Sequence, residues 1–183
     1  MIRVGIYGAT GYTGMELVRI LQRHPGAEIA FVASQSQAGK TLRQVFPAAP
    51  ALPLIAGEDA PLDEVDVVFL CLPHAAAAET AVVALAAGVP FILKGIMTVK
   101  GAEKAIEAGA AGIVVSNHGG RVLDDCPATQ EVLADIVAAV DGRAKILVDG
   151  GIRTGSDVFK ALALGADAVL IAHPFVTAVY GAG

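Results

Sequence analysis

Tryptophan is absent, and aromatic residues of all kinds make up only 5% of the 183 residues, so the 55% hydrophobic content rests on Ala, Val, Ile and Leu. With 21 glycines to punctuate them, that is the balance of a buried parallel sheet wrapped in alanine-rich helices, and it excludes a disordered chain. Basic residues are also scarce. Thirteen Lys and Arg against eighteen Asp and Glu leave a net charge of −5, which offers no footprint for a nucleic-acid backbone. Long hydrophobic runs are missing too. The longest, over 81–93, is interrupted by Gly88 and Pro90 and falls short of the roughly 20 residues that span a bilayer. Cysteine occurs only as Cys71 and Cys126, outside any CxxC pair, which speaks against a metal site. The opening residues 2–7 read as a strand and not as the charged lead and apolar block of a secretory leader, so a reduced, cytoplasmic setting is expected. At this length a full core needs neither disulfide nor metal.

What is present is an alternation of short apolar runs and helical patterns. Strands are predicted over 2–7, 28–34, 52–56, 66–72, 91–95, 112–116, 145–149 and 168–172. Helices are predicted over 14–23, 40–45, 74–87, 100–108, 129–140 and 156–164, several closed by a glycine at 88, 109, 142 or 165. The run at 52–56 lies in a Pro/Ala-rich stretch that reads equally well as loop. Strand and helix alternating at this length predict an α/β fold with a parallel sheet.

The first chemical motif is Gly8-Ala9-Thr10-Gly11-Tyr12-Thr13-Gly14, directly after strand one and opening a helix. Glycines there permit a tight turn and let a pyrophosphate approach the positive end of the helix. The plainer alternative is a turn that merely lets the helix pack on the sheet. The second strand ends in Ser34, Gln35 and Ser36 with no acid to grip a ribose diol, which favours NADP over NAD. Together with Asp66-Val67-Val68-Phe69-Leu70-Cys71-Leu72-Pro73-His74, these residues make 1–90 resemble the NADP-binding region of N-acetyl-γ-glutamyl-phosphate reductases. The resemblance implies that Gly8, Thr10, Gly11, Tyr12, Thr13, Gly14, Ser34 and Ser36 hold NADP. It also marks departures, since the catalytic cysteine segment of that family has no counterpart and Gln35 replaces an arginine common there. Cys71, inside an apolar strand, reads as a core thiol rather than a nucleophile.

The second half places polar groups at three successive strand ends: Lys94, then Ser116-Asn117-His118-Gly119-Gly120-Arg121, then Asp149-Gly150-Gly151-Ile152-Arg153. Ligand sites of α/β folds gather at that edge. A histidine beside an arginine offers a proton acceptor and a carboxylate clamp, Lys94 could stabilise charge on an electron-accepting ring, and Gly150-Gly151 with Arg153 suits a phosphate. The alternative for His118 is a loop histidine capping local backbone.

From about 91 to 183 this constellation resembles the C-terminal half of the FMN-dependent α-hydroxy-acid oxidase and dehydrogenase barrels. The resemblance implies Lys94 and Ser116 beside the flavin, His118 as base, Arg121 on the substrate carboxylate, and Asp149, Gly151 and Arg153 around the phosphate. Where many members carry a glycine-arginine pair, this chain has Ala172-His173-Pro174, so His173 stands in for a permanent cation and FMN binding should be weak.

The two resemblances meet near residue 90 and imply one fused α/β domain, 1–90 from a Rossmann-type fragment and 91–183 from a half-barrel, with engineered joining preferred over natural reshuffling. The expected architecture is an open, doubly wound sheet of about eight strands in the order 3-2-1-4-5-6-7-8, and the alternative is a closed (βα) barrel. The expected function is residual FMN or phosphate binding without turnover. Alternatives are an NADP-binding oxidoreductase fragment and an inert chain made to test fold compatibility. The expected partner is a small-molecule cofactor, with neither nucleic acid nor membrane. Self-association through an exposed half-barrel face is a further expectation.

Overall fold

A computed structural model describes residues 1–181. The chain divides into two compact units, Met1–Phe91 and Ile92–Gly183. In the first unit, strands β1 (Ile2–Tyr7), β2 (Ala27–Ala33), β3 (Leu54–Ile55) and β4 (Val67–Leu70) form a parallel sheet in the order β3-β2-β1-β4. Its helices are α1 (Tyr12–Leu21), α2 (Leu42–Val45) and α3 (His74–Ala86). In the second, β5 (Ile92–Ile96), β6 (Gly112–Val115), β7 (Lys145–Val148) and β8 (Ala168–Val169) pair in sequence order, all parallel. Helices α4 (Val99–Glu107), α5 (Thr129–Val140), α6 (Gly155–Ala163) and α7 (His173–Gly181) complete it.

The sequence pattern explains the first sheet strand by strand. Val4 and Ile6 alternate onto one face and join Val18, Val32, Leu42 and Leu54 in a buried cluster, while Tyr7 falls on the other face with Phe31, Ala33 and Leu62. The Tyr7 and Phe31 rings meet edge to face with centroids 5.5 Å apart. Helix α1 lies so close to the first turn that a Cβ at Gly14 would sit 2.3 Å from the Gly8 carbonyl oxygen, which only glycine avoids. Cys71 packs against this core, and burial raises the pKa of its thiol.

In the second unit all four residues of β6 are buried, the continuous apolar run expected of an inner parallel strand. Thr129, Leu133, Ile136 and Val140 form the buried stripe of α5, spaced as one helical face. Thr98 caps α4 by accepting from the Gly101 N–H at 3.0 Å. Thr154 caps α6, where Asp157 Oδ2 accepts in return from the Thr154 N–H at 2.8 Å and from the Arg153 N–H at 3.1 Å.

The expected single sheet of eight is resolved as two sheets of four, each in the predicted internal order. Strand β1 has β2 and β4 as neighbours, as the pattern required. Among the described residues β4 pairs with β1 alone and β5 with β6 alone, so each closes the ladder of its own unit. The run at 52–56 holds only the two residues of β3. Strand β8 likewise shrinks from the expected 168–172 to Ala168–Val169, although Leu170 still donates to the Val148 carbonyl. Helix α7 was not expected. Pro174 near its start suits a helix opening, because a first-turn residue needs no N–H.

Candidate functional site

In the second unit, the polar residues gathered by the three strand ends surround one cleft of about 770 Å³, lined by Lys94, His118, Arg121, Asp149, Gly150, Gly151, Arg153 and His173. Seven of the eight residues expected to hold flavin or substrate border it. The eighth, Ser116, is fully buried beneath, and its hydroxyl accepts from Lys94 Nζ at 2.8 Å and from the His118 N–H at 3.2 Å. Lys94 Nζ also lies 2.8 Å from Asp149 Oδ2. Lysine, serine and aspartate thus form a row across β5, β6 and β7, with Ser116 and Asp149 one residue beyond the ends of their strands and Lys94 inside β5, where the sequence had put it at the strand end.

Local backbone fixes the histidine. The ladder between β5 and β6 slips at Gly95, whose φ of +99° makes it the extra residue of a bulge. A Cβ there would stand 2.6 Å from His118 Nε2, so the absence of a side chain at 95 makes room for the imidazole. His118, Gly119 and Gly120 are all left-handed, at φ of +54°, +70° and +73°, in a tight 3-10 turn. Asn117 braces that turn, accepting from the Gly119 N–H at 3.0 Å and donating to the Pro127 carbonyl at 3.3 Å.

Charge is unevenly distributed around the cleft. Its one acid, Asp149, is already paired with Lys94, while the guanidinium groups of Arg121 and Arg153 have no carboxylate partner among the described residues. Such a surface suits a ligand with at least two negative charges, a phosphate or carboxylate being met bidentately by arginine. The apolar rim was less legible in the sequence. Val122, Leu170 and Ile171 also line the cleft, and Val122 is 71% exposed.

The residues expected to hold NADP occupy the connection from β1 to α1, the first turn of α1 and the segment just after β2 in the first unit. There Thr10 Oγ and Ser34 Oγ bond each other at 2.8 Å, and Ser36, Tyr12 and Thr13 are exposed. The Gly8 and Ala9 N–H groups both donate to the Ala33 carbonyl and Gly11 N–H donates to Gly8, so three of the turn's donors already have acceptors. Gly14 is buried against the turn. Close packing of the helix on the turn is what the plainer alternative in the sequence called for. Among the described residues no group of His, Cys, Asp and Glu could hold a metal ion, and no helix is long and apolar enough to cross a membrane.

Residues 23–183 match the family model for FMN-dependent dehydrogenases, a match that starts well inside the segment resembling the reductases. A 4-hydroxymandelate oxidase from Amycolatopsis orientalis is 57% identical over 94 residues, covering 51% of this chain and 26% of that protein. A peroxisomal (S)-2-hydroxyacid oxidase of Arabidopsis thaliana is 60% identical over 87 residues, 48% of this chain and 24% of that one. The chain therefore spans about a quarter of the length of the curated relatives it matches. Among solved structures, a mandelate oxidase variant with benzaldehyde has a TM-score of 0.58 at 34% identity, over 83% of this chain and 58% of that one. The comparisons give no support to the reductase resemblance, to NADP or to a joined origin.

Proposed function

Because the chain belongs to the FMN-dependent dehydrogenase family, we propose that its second unit binds FMN weakly in the cleft at the ends of β5, β6 and β7, without turning over a 2-hydroxy acid. The observation that carries this is the pair of guanidinium groups, Arg121 and Arg153, without a carboxylate partner among the described residues, on one cleft whose lining acid, Asp149, is already paired with Lys94. Arg153, with the Gly151 backbone and His173, would hold the phosphate. Lys94, propped by Ser116 and Asp149, would stand beside the ring. Arg121 would hold the carboxylate of a 2-hydroxy acid, and His118 would be the group to take its proton. When bound, the flavin supplies a two-electron acceptor.

Turnover is not expected, because the rim is open. Val122 at 71% exposure, with Leu170 and Ile171 at 37% each, leaves the site in water, where charge developing on a reacting acid is poorly stabilised. A joined origin for residues 1–90, with NADP as its ligand, keeps one observation in its favour, the strand order β3-β2-β1-β4 around a glycine turn.

Flavin fluorescence titration tests the reading. FMN should bind with a Kd on the order of micromolar or weaker, Arg153→Ala should weaken it more than tenfold, and His173→Arg should tighten it, tenfold corresponding to about 1.4 kcal/mol. NADP binding tighter than FMN, or Arg153→Ala without effect, would overturn it. Flavin bleaching by lactate that disappears in His118→Ala would overturn the absence of turnover.

A further inference from the structure

Two side chains outside the cleft converge on one of its peptide groups. Thr129 Oγ and Gln130 Nε2, in the first turn of α5, both donate to the Gly150 carbonyl at 3.2 Å. Thr129 is buried, so its hydroxyl is committed to this neighbourhood. A carbonyl oxygen set at the positive end of a helix is favourably placed.

The peptide joining Gly150 to Gly151 is trans, and in a planar trans peptide the N–H points opposite to the C=O. With the oxygen drawn toward α5, the Gly151 N–H is turned away from that helix. Gly151 lines the cleft, and no acceptor for its N–H is found among the described residues. Both residues are left-handed, at φ of +86° and +77°, which glycine alone adopts without strain. The arrangement is an oriented backbone donor beside Arg153, whose guanidinium has no carboxylate partner among the described residues.

We propose that Thr129 and Gln130 are positioning residues, which clamp the Gly150 carbonyl so that the Gly151 N–H is aimed at the phosphate of the bound flavin nucleotide. The inference rests on the cleft being the FMN phosphate site, and it adds what orients the backbone half of that site. The two residues touch no ligand. Their effect passes through one peptide group, so it should be specific to the phosphate.

The test compares FMN with riboflavin, which has the same ring and no phosphate, by fluorescence titration of the full chain. Wild type should prefer FMN. Thr129→Val with Gln130→Met, which keeps volume and removes both donors, should weaken FMN about tenfold and leave riboflavin unchanged, while Thr129→Ser should retain the preference. Should the double variant fail to fold, Gln130→Met alone, at a half-buried position, should lose several-fold in FMN affinity. An unchanged preference in the folded variants, or equal losses for both flavins, would overturn the clamp while leaving the phosphate site standing. A wild type with no preference for FMN over riboflavin would overturn the site itself and the clamp with it.

Discussion

Replacing Lys94 by methionine should destabilise the chain by an amount that can be bracketed from the ion pair it breaks. The ammonium group is 2.8 Å from both Asp149 Oδ2 and Ser116 Oγ, and the paired side chains are 44% and 18% exposed. Exposed ion pairs contribute about 0–1 kcal/mol, whereas removing one member of a buried pair costs about 3–5 kcal/mol. A half-exposed lysine on a mostly buried carboxylate falls between them, so Lys94→Met should cost about 1–2 kcal/mol, much of it from stranding the Asp149 charge. If so, Asp149→Asn should be costly in wild type and nearly free in the Lys94→Met background. Urea unfolding of the four proteins, followed by far-ultraviolet circular dichroism, gives the coupling energy directly, provided the denaturant slope is unchanged. The expected coupling is about 1 kcal/mol, and one below about 0.3 kcal/mol would show that the row across β5, β6 and β7 is held by its strands and not by its charges.

Two further outcomes follow from local geometry. Gly95→Ala should cost about 1–3 kcal/mol in the same assay, because it combines a φ of +99° with a Cβ driven into His118; a loss under about 0.5 kcal/mol would mean the imidazole swings away freely. Hydrogen bonds from the Thr154 side chain and backbone and from the Arg153 N–H lower the Asp157 pKa. A carboxyl whose folded pKa is lowered stabilises above its unfolded value and loses that contribution as pH falls through the folded one. Stability should therefore decline as pH drops below about 4, and less steeply in Asp157→Asn; parallel acid titrations of the two proteins would refute the cap's role.

Much of this was legible in the sequence, and the reasons differ by element. Helix α5 appears over the predicted residues because its apolar stripe, first-turn Glu131 and following Gly142 all agree. Strands β1, β6 and β7 begin where their apolar runs begin. Strand β8 and helix α7 were misread together, since a run such as 168–172 gives no sign of where hydrogen-bonded partners stop. The cleft's charged residues could be found because polar groups at the ends of apolar strands stand out. Thr129 and Gln130 could not, because a threonine opening a helix looks like any other. Nor does a glycine motif tell whether its N–H groups are free for a ligand: those of Gly8, Ala9 and Gly11 have found acceptors in their own turn and in β2.

The row formed by Lys94, Ser116 and Asp149 draws its spacing from neighbouring strands about 4.8 Å apart, and this makes the chain unevenly tolerant of changes in length. The exposed stretch after Arg121, through Val122 and Leu123, could gain or lose residues and leave those three groups in place. A single deletion within Gly112–Val115 is another matter. Side chains alternate between the faces of a sheet, so the loss of one residue would turn Ser116 to the opposite face and take its hydroxyl from Lys94, with the composition of the chain almost unaltered.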